Sequence, residues 1–217
     1  MTSVAKVVAV IPAYNEGKTV ARVVRDLKAV VDEVVVVNDC SKDNTRTEAE
    51  DAGAVVVNHE VNGGYDKTID DGFKKAAELG ADIIFTFDAD GEHDVADVER
   101  IVGPIVRGEA DIVLGQRPHT THWAEKIYMF YTRMRYGITD PLCGFKAYRR
   151  SVYDAVGYFD TVQSIGTQLT LEGLRKGFRL ALVPIALHAR VDDTSRFYAR
   201  NFRANIKILK VMLRTIL

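Results

Sequence analysis

The chain has 217 residues, of which 47% are hydrophobic and 27% are charged, and its formal net charge is −1. This composition excludes global disorder, and the charge balance argues against a protein whose main partner is nucleic acid. The two cysteines are too few for a disulfide framework and fit a reducing compartment.

Neither a targeting segment nor a membrane span can be recognised. Residues 1–5 lack the basic and apolar regions of a secretory signal. Apolar runs such as 34–37 fall far short of the roughly 20 residues that a spanning helix needs. We therefore expect a cytoplasmic protein, either soluble or peripheral on the cytoplasmic face of a membrane.

The first half of the chain alternates short apolar runs with helical patterns. The apolar runs predict buried strands at 6–11, 34–37, 54–57, 82–87 and 111–115. Apolar residues at helical spacing predict helices at 17–31, 44–52, 65–79 and 95–106. This alternation predicts an α/β fold with three layers, in which helices cover both faces of a mostly parallel, Rossmann-like sheet.

The second half is less regular. Its patterns predict helices at 123–136, 166–176 and 197–217, a strand at 179–187 and a loop at 137–150. Because the chain shows no internal repeat and no low-complexity linker, we expect residues 1–217 to form a single domain.

Ligands of a parallel sheet bind beyond the carboxyl ends of its strands. That rule selects four polar segments, which lie at 12–16, 38–43, 58–67 and 88–94. We expect the functional site to be built from these segments.

The sharpest motif is the Asp-Ala-Asp run from Asp88 to Asp90, directly after a predicted strand. Residues two apart on a strand project to the same side, so the two carboxylates can converge on a hard cation such as Mg²⁺ or Mn²⁺. Such a metal neutralises the charge that builds on a departing diphosphate. The alternative is a solvated acidic loop, but the position after a buried strand favours a metal site.

Two further residues of this loop have competing explanations. His93 is either a ligand or a partly exposed loop histidine, and the oxygen-rich surroundings argue against zinc. Asp94 is expected to cap the helix that follows it.

A second group of motifs lies at the ends of the first three strands. Pro12-Ala-Tyr-Asn-Glu16, Val37-Asn-Asp-Cys-Ser41 and an Asn-x-Gly segment at 62–64 precede the Asp88/Asp90 motif. In this order and spacing, the chain resembles the family 2 glycosyltransferases, which have the nucleotide-sugar-binding GT-A fold. The resemblance covers roughly the first 150 residues.

Within that family, the chain is most similar to the dolichyl- and polyprenyl-phosphate sugar transferases. Segments 111–117, 140–148 and 183–196 resemble the later motifs of these enzymes. The resemblance implies inverting, metal-dependent transfer of a sugar from a UDP- or GDP-sugar to polyprenyl or dolichyl phosphate.

The resemblance also implies roles for individual residues. Mg²⁺ or Mn²⁺ would be held by Asp88, Asp90 and Glu92, with Asp90 as the main ligand. The residues expected to face the nucleotide or phosphate groups are Pro12, Ala13, Tyr14, Glu16, Asp39, Lys67, Asp88, Arg190 and Arg196. Arg117, expected near phosphate, and Asp140 complete the candidate catalytic set with Asp90.

Three positions depart from the pattern of the family. Glu92 stands where glutamine is usual, Asp66 where glycine is usual, and Gln168 near where many relatives have glutamate. The chain also lacks a Gln-x-x-Arg-Trp run, which argues against a processive polysaccharide synthase.

The acceptor decides whether a general base is needed. A hydroxyl must lose a proton during attack, whereas a phosphate monoester is already anionic and needs positioning by cations. Asp140 is the best candidate for a base, and a turn residue before Pro141 is an equally good explanation of it. Two alternatives stay open: a glycosyltransferase acting on a sugar or protein hydroxyl, and a nucleotide-sugar binding module without turnover.

The predicted helix at 197–217 combines apolar residues at helical spacing with basic residues between them. Such a helix suits the surface of a membrane. Packing on the domain itself, or on a second subunit of a homodimer, explains the pattern equally well.

Overall fold

A computed structural model describes residues 5–118, 123–186 and 202–216. Its strands form one sheet in the order β3-β2-β1-β4-β6-β5-β7. The strands are β1 (Val7–Ala13), β2 (Glu33–Asn38), β3 (Val55–Asn58), β4 (Ile83–Thr86), β5 (Ile112–Gln116), β6 (Lys146–Arg149) and β7 (Leu180–Pro184). Neighbouring strands are parallel except at β6, which is antiparallel to both β4 and β5.

Helices cover both faces of the sheet. They are α1 (Val20–Lys28), α2 (Thr45–Asp51), α3 (Tyr65–Glu78), α4 (Val98–Val106), α5 (Trp123–Tyr136), α6 (Arg150–Val156), α7 (Thr167–Arg175) and α8 (Phe202–Ile216). Helices α1, α2 and α4 pack on one face, and α3, α6 and α7 pack on the other. The predicted three-layer α/β fold with a mostly parallel sheet is therefore confirmed.

The central strand β1 shows why its sequence is continuously apolar. Ala9 and Ile11 pack under α1 and α4, whereas Val8 and Val10 face α3 on the other side. All four side chains are fully buried. A strand covered on both faces needs apolar residues at every position, which explains the run that predicted it.

The loop predicted at 137–150 was wrong at its C-terminal end. Residues Lys146–Arg149 form β6, and α6 begins at Arg150. Because β6 runs against its neighbours, the residues that precede it arrive at the carboxyl edge of the parallel strands. The polar residues at both ends of this short strand hid the apolar pattern that marks the other strands.

Helix α8 packs on α5. Ile208 is fully buried in a cluster with Ala124 and Tyr128, and Asn205 Oδ1 accepts a hydrogen bond from the Ala124 amide at 3.1 Å. Part of the expected apolar face of the C-terminal helix is thus packed against α5. Residues 197–201 and 217 of the predicted helix lie outside the described ranges. Within those ranges, no helix has the length and apolarity needed to cross a bilayer.

The carboxylate of Asp111 links the three strands β5, β6 and β7. Asp111, at the start of β5, accepts hydrogen bonds from Arg179 Nε at 3.0 Å before β7 and from Arg149 Nε at 3.2 Å at the end of β6. Hydrogen bonds from Arg179, and then those from Arg149, lower the pKa of Asp111 to about 2.

Replacing this carboxylate should reduce stability in a pH-dependent way. A depressed pKa means that the stabilisation is present above about pH 4 and is lost as the pH falls toward 2. We expect Asp111→Asn to lower the free energy of unfolding by about 1 kcal/mol at neutral pH, because exposed arginines are screened by solvent. Urea unfolding at several pH values measures this. The exposed Asp154→Asn is the control, and equal stability of Asp111→Asn and wild type at pH 7 would contradict the assignment.

Candidate active site

Two loops at the carboxyl edge are tied together by backbone amides. The Asn15 amide donates to Ser41 Oγ at 2.9 Å, and the Glu16 amide donates to Thr45 Oγ1 at 2.7 Å. Asn15 has a positive φ of 54°, which turns the chain from β1 toward α1. These bonds hold the loop after β1 against the loop after β2.

The residues expected to face the nucleotide come together on these loops. Pro12 and Ala13 end β1 beside Val37 and Asn38 of β2, and the Asp39 amide donates to Ala13 O at 2.8 Å. The candidates Pro12, Ala13, Tyr14, Glu16 and Asp39 therefore share one edge of the sheet.

Asp39 holds the glycine loop that follows β3. Asp39 is buried, and its carboxylate accepts hydrogen bonds from the amides of Gly63 at 2.7 Å and Gly64 at 3.0 Å. The Asn-x-Gly segment is thus anchored to the same carboxylate that is expected to face the nucleotide.

His59 bridges two carboxylates and was missed by sequence reasoning. Its Nδ1 lies 2.8 Å from Asp39 Oδ1 and its Nε2 lies 3.1 Å from Asp71 Oδ2. His59 therefore joins the carboxylate that holds the glycine loop to a carboxylate of α3. Its place just after β3 was the single sequence clue.

The candidate Lys67 lies beside this network and is paired with Asp71. Partial burial by itself would raise the pKa of Asp71. Hydrogen bonds and charge from Lys67, and then from Lys74, outweigh this and hold the pKa below its usual range. The side chain of Lys67 is more than half exposed, so it lies at the rim of the site.

The backbone before β6 supports Asp88. Thr86, the last residue of β4, donates from its hydroxyl to the carbonyl of Gly144 and accepts a hydrogen bond from the Lys146 amide at 3.1 Å. A methyl group at position 144 would lie 3.1 Å from Asp88 Oδ2 and 3.3 Å from Tyr65 Oη. Tyr65 Oη also donates to Asp88 Oδ1 at 3.3 Å. A side chain at position 144 would therefore press on Asp88 and Tyr65, which would have to shift by a few tenths of an ångström.

His93 is buried, which corrects the expectation of a partly exposed loop histidine. Its ring stacks on Phe145 with centroids 4.9 Å apart, and its Nδ1 accepts a hydrogen bond from the Asp88 amide at 3.3 Å. His93 thus shapes the acidic loop from within. The expectation for Asp94 is confirmed, because its Oδ1 accepts a hydrogen bond from the Ala96 amide at 2.9 Å and caps the turn before α4.

The acidic loop supplies oxygen atoms suited to a hard cation. Asp88, Asp90 and Glu92 are all half-buried, and the Glu92 amide donates to Asp90 Oδ1 at 3.0 Å. In the described parts of the chain, no three acidic, histidine or cysteine side chains are gathered closely enough to hold a metal by themselves. This donor set fits Mg²⁺ or Mn²⁺, which proteins often hold through one or two carboxylates together with substrate phosphates.

Arg117 and Asp140 form a bidentate pair. Arg117 Nε and Nη2 donate to the two carboxylate oxygens of Asp140 at 2.7 and 2.8 Å. Burial by itself would lower the pKa of Arg117, but the hydrogen bonds and charge of Asp140 raise it above its ordinary value. The sequence did not indicate that these two candidates are partners.

Lys146 anchors the segment that contains this pair. Its fully buried amine donates to Pro141 O at 2.8 Å and to Ile165 O at 2.6 Å. Burial lowers the pKa of Lys146 to about 8. The segment 140–146 is therefore fixed at both ends, by Arg117 and by Lys146.

Two of the departures from the family pattern have structural explanations. Asp66 is buried and accepts a hydrogen bond from the Ile165 amide at 3.1 Å. Gln168 Oε1 accepts one from the Thr161 amide at 2.7 Å. The candidates Arg190 and Arg196 lie outside the described residues.

Residues 8–157 match the model of the glycosyl transferase family 2. The chain belongs to this family. Two curated relatives fit the same assignment. The UDP-N-acetylglucosamine–dolichyl-phosphate N-acetylglucosaminyltransferase of Methanococcus voltae is 37% identical over 126 residues, a match that covers 50% of each chain. The undecaprenyl-phosphate mannosyltransferase of Micrococcus luteus is 29% identical over 208 residues, covering 85% of this chain and 84% of the relative.

Solved structures show that this family 2 chain has the GT-A fold. Glucosyl-3-phosphoglycerate synthase from Mycobacterium tuberculosis, in complex with Mg²⁺ and UDP, superposes with a TM-score of 0.77 at 20% identity. The match covers 97% of this chain and 79% of the other. The complex of the same enzyme with Mn²⁺ and UDP-glucose gives a TM-score of 0.76 at 20% identity over the same shares of the two chains.

Filling the space over Gly144 tests the support of Asp88. Gly144→Ala should displace the Asp88 carboxylate by a few tenths of an ångström and lower nucleotide-sugar turnover about tenfold, because small misplacements of a site are costly. Nucleoside diphosphate release at saturating Mn²⁺ measures this.

The matched control is Gly103→Ala on α4, where the added methyl group meets only the flexible end of Arg107. Thermal unfolding should place both variants close to wild type. Unchanged turnover in Gly144→Ala would show that the contact has no role in holding Asp88.

Proposed function

We propose that this family 2 protein transfers a sugar, with inversion, from a UDP- or GDP-sugar to a polyprenyl or dolichyl phosphate. The names of both relatives support a lipid phosphate as acceptor. The Methanococcus relative is matched over only half of its length, and the acceptor of the present chain is therefore argued from its own residues.

On the sugar-donor side, Pro12, Ala13, Tyr14, Glu16 and Asp39 are proposed to bind the nucleotide. They lie on the joined loops after β1 and β2, next to the acidic loop after β4. The complexes of the Mycobacterium tuberculosis enzyme with a divalent metal and UDP or UDP-glucose support a nucleotide as the ligand of this fold.

We assign Asp90 as the main ligand of Mg²⁺ or Mn²⁺, with Asp88 and Glu92 assisting. Bound there, the metal would stabilise the negative charge of the departing diphosphate. Two residues of the chain orient the acidic loop. His93 accepts a hydrogen bond from the Asp88 amide, and Tyr65 donates one to the Asp88 carboxylate.

The pairing of Asp140 with Arg117 is our main argument for a phosphate acceptor rather than a hydroxyl acceptor. Both oxygens of Asp140 accept hydrogen bonds from the guanidinium, and the side chain is 4% exposed. A carboxylate so held is poorly placed to take a proton from a hydroxyl acceptor. A phosphate acceptor needs no base, and the partly exposed guanidinium of Arg117 can attract it. We therefore propose that Asp140 positions Arg117, and that Arg117, Arg190 and Arg196 face phosphate groups.

Removing the main metal ligand tests the proposed chemistry. Asp90→Ala should lower transfer by about 100-fold or more, because stabilisation of the leaving diphosphate is lost. Nucleoside diphosphate release is measured with Mn²⁺ and a panel of nucleotide sugars, with and without polyprenyl phosphate. Asp94→Ala, a change in the same loop at a helix cap, should keep its activity and lose only about 1 kcal/mol of stability. Substantial turnover by Asp90→Ala would refute the metal role.

The role of Asp140 separates the two acceptor classes. Asp140→Asn keeps the shape of the side chain, so kcat with polyprenyl phosphate should fall less than about tenfold, whereas loss of a general base costs about 100- to 10,000-fold. Circular dichroism establishes that the variant is folded. A fall of kcat into the range expected for a lost base would contradict the positioning role of Asp140.

A further inference from the structure

Helix α5 exposes a continuous apolar stripe. Trp123, Ile127, Phe130 and Met134 are 48%, 45%, 69% and 73% exposed. At 100° per residue these four positions fall within about 60° of the helix circumference. We call these four residues the α5 stripe. A contiguous apolar patch of this kind on a soluble surface marks an interaction site.

The opposite side of α5 packs next to the active site. Ala124 and Tyr128 are fully buried in a cluster that includes Leu142, from the segment before β6. Tyr65, which donates to the Asp88 carboxylate, packs against the same cluster. The helix therefore has one face on the catalytic edge and the other, the α5 stripe, directed away from the domain core.

The exposed charges described on α5 and α8 have one sign. Lys126 and Arg133 lie beside the stripe, both on the same side of the exposed surface of α5. The other exposed charged residues described on α5 and α8 are also basic, namely Arg135, Lys210 and Arg214. The sequences of the two helices contain a single acidic residue, Glu125, and it is buried.

We propose that the α5 stripe docks the protein on the surface of an anionic lipid bilayer. Such a surface has an apolar acyl layer beneath a layer of anionic headgroups. The aromatic and aliphatic side chains of the stripe would enter the acyl boundary, and the neighbouring cations would contact the headgroups. A second copy of the chain fits less well, because two such faces would bring their cations together.

This inference rests on the proposed lipid phosphate acceptor for its biological meaning, though not for its physical evidence. Docking through α5 would place the segment 140–146 and the Arg117–Asp140 pair close to the headgroup layer, since α5 packs on Leu142. The phosphate of a membrane-embedded acceptor lies in that layer. Arg117 could then bind the phosphate while the lipid chain of the acceptor stays in the bilayer.

The chain supplies its own probe, because Trp123 is its single tryptophan and lies on the stripe. With vesicles of mixed phosphatidylcholine and phosphatidylglycerol, the fluorescence of Trp123 should shift to the blue and be quenched by brominated phosphatidylcholine. Added salt, or vesicles of phosphatidylcholine alone, should weaken the effect. A wild-type spectrum that vesicles leave unchanged overturns the proposal.

Variants identify the residues responsible. Phe130→Asp combined with Met134→Asp should weaken vesicle binding about tenfold or more, and the milder pair Phe130→Ser and Met134→Ser should act in the same direction. Val106→Asp, at a 56% exposed apolar position on α4, is the matched control and should bind as wild type does. Equal binding by the aspartate and serine pairs and wild type would contradict the proposal. Sedimentation showing that wild type is a dimer and that the stripe variants are monomers would also contradict it.

Transfer to a water-soluble, short-chain polyprenyl phosphate separates this proposal from the proposed function. The stripe variants should keep that activity, because the substituted side chains point away from the site. Vesicle binding by a protein that transfers no sugar would refute the function and leave docking intact. Active transfer with Trp123 still in water would refute docking alone.

Discussion

The candidate site depends on the missing side chain at Gly144. The carboxylate of Asp88 and the hydroxyl of Tyr65 lie against this backbone, at distances that a methyl group would already crowd. Gly144 reaches this position because β6 runs antiparallel between β4 and β5. The hydroxyl of Thr86 fixes it there, since it accepts a hydrogen bond from the Lys146 amide and donates one to the Gly144 carbonyl. One reversed strand thus brings the second half of the chain to the acidic loop.

The charges of the site are divided between its two sides. Carboxylates concentrate on the loops after β2 and β4, where Asp39, Asp88, Asp90 and Glu92 lie. The facing side contributes the guanidinium of Arg117, which follows β5 and is held by Asp140 at the start of the segment before β6. This polarity suits a metal-bound diphosphate on one side and an anionic acceptor on the other.

Much of the fold could be predicted from the sequence, because strands covered on both faces need unbroken apolar runs. The same rule predicted that Asp88 and Asp90 would lie at the carboxyl edge. It failed at β6, where Lys146 is buried yet satisfied by the carbonyls of Pro141 and Ile165. The bridging by His59 and the burial of His93 depend on partners distant in sequence, which no local pattern reveals.

The most direct measurement is a crystal structure with Mn²⁺ and UDP or GDP, with data collected at the manganese absorption edge. The account predicts an anomalous peak beside the Asp90 carboxylate that also contacts the diphosphate, with the nucleotide base near Asp39. A well-ordered nucleotide with no metal beside Asp88, Asp90 or Glu92, or a metal bound elsewhere on the chain, would contradict it.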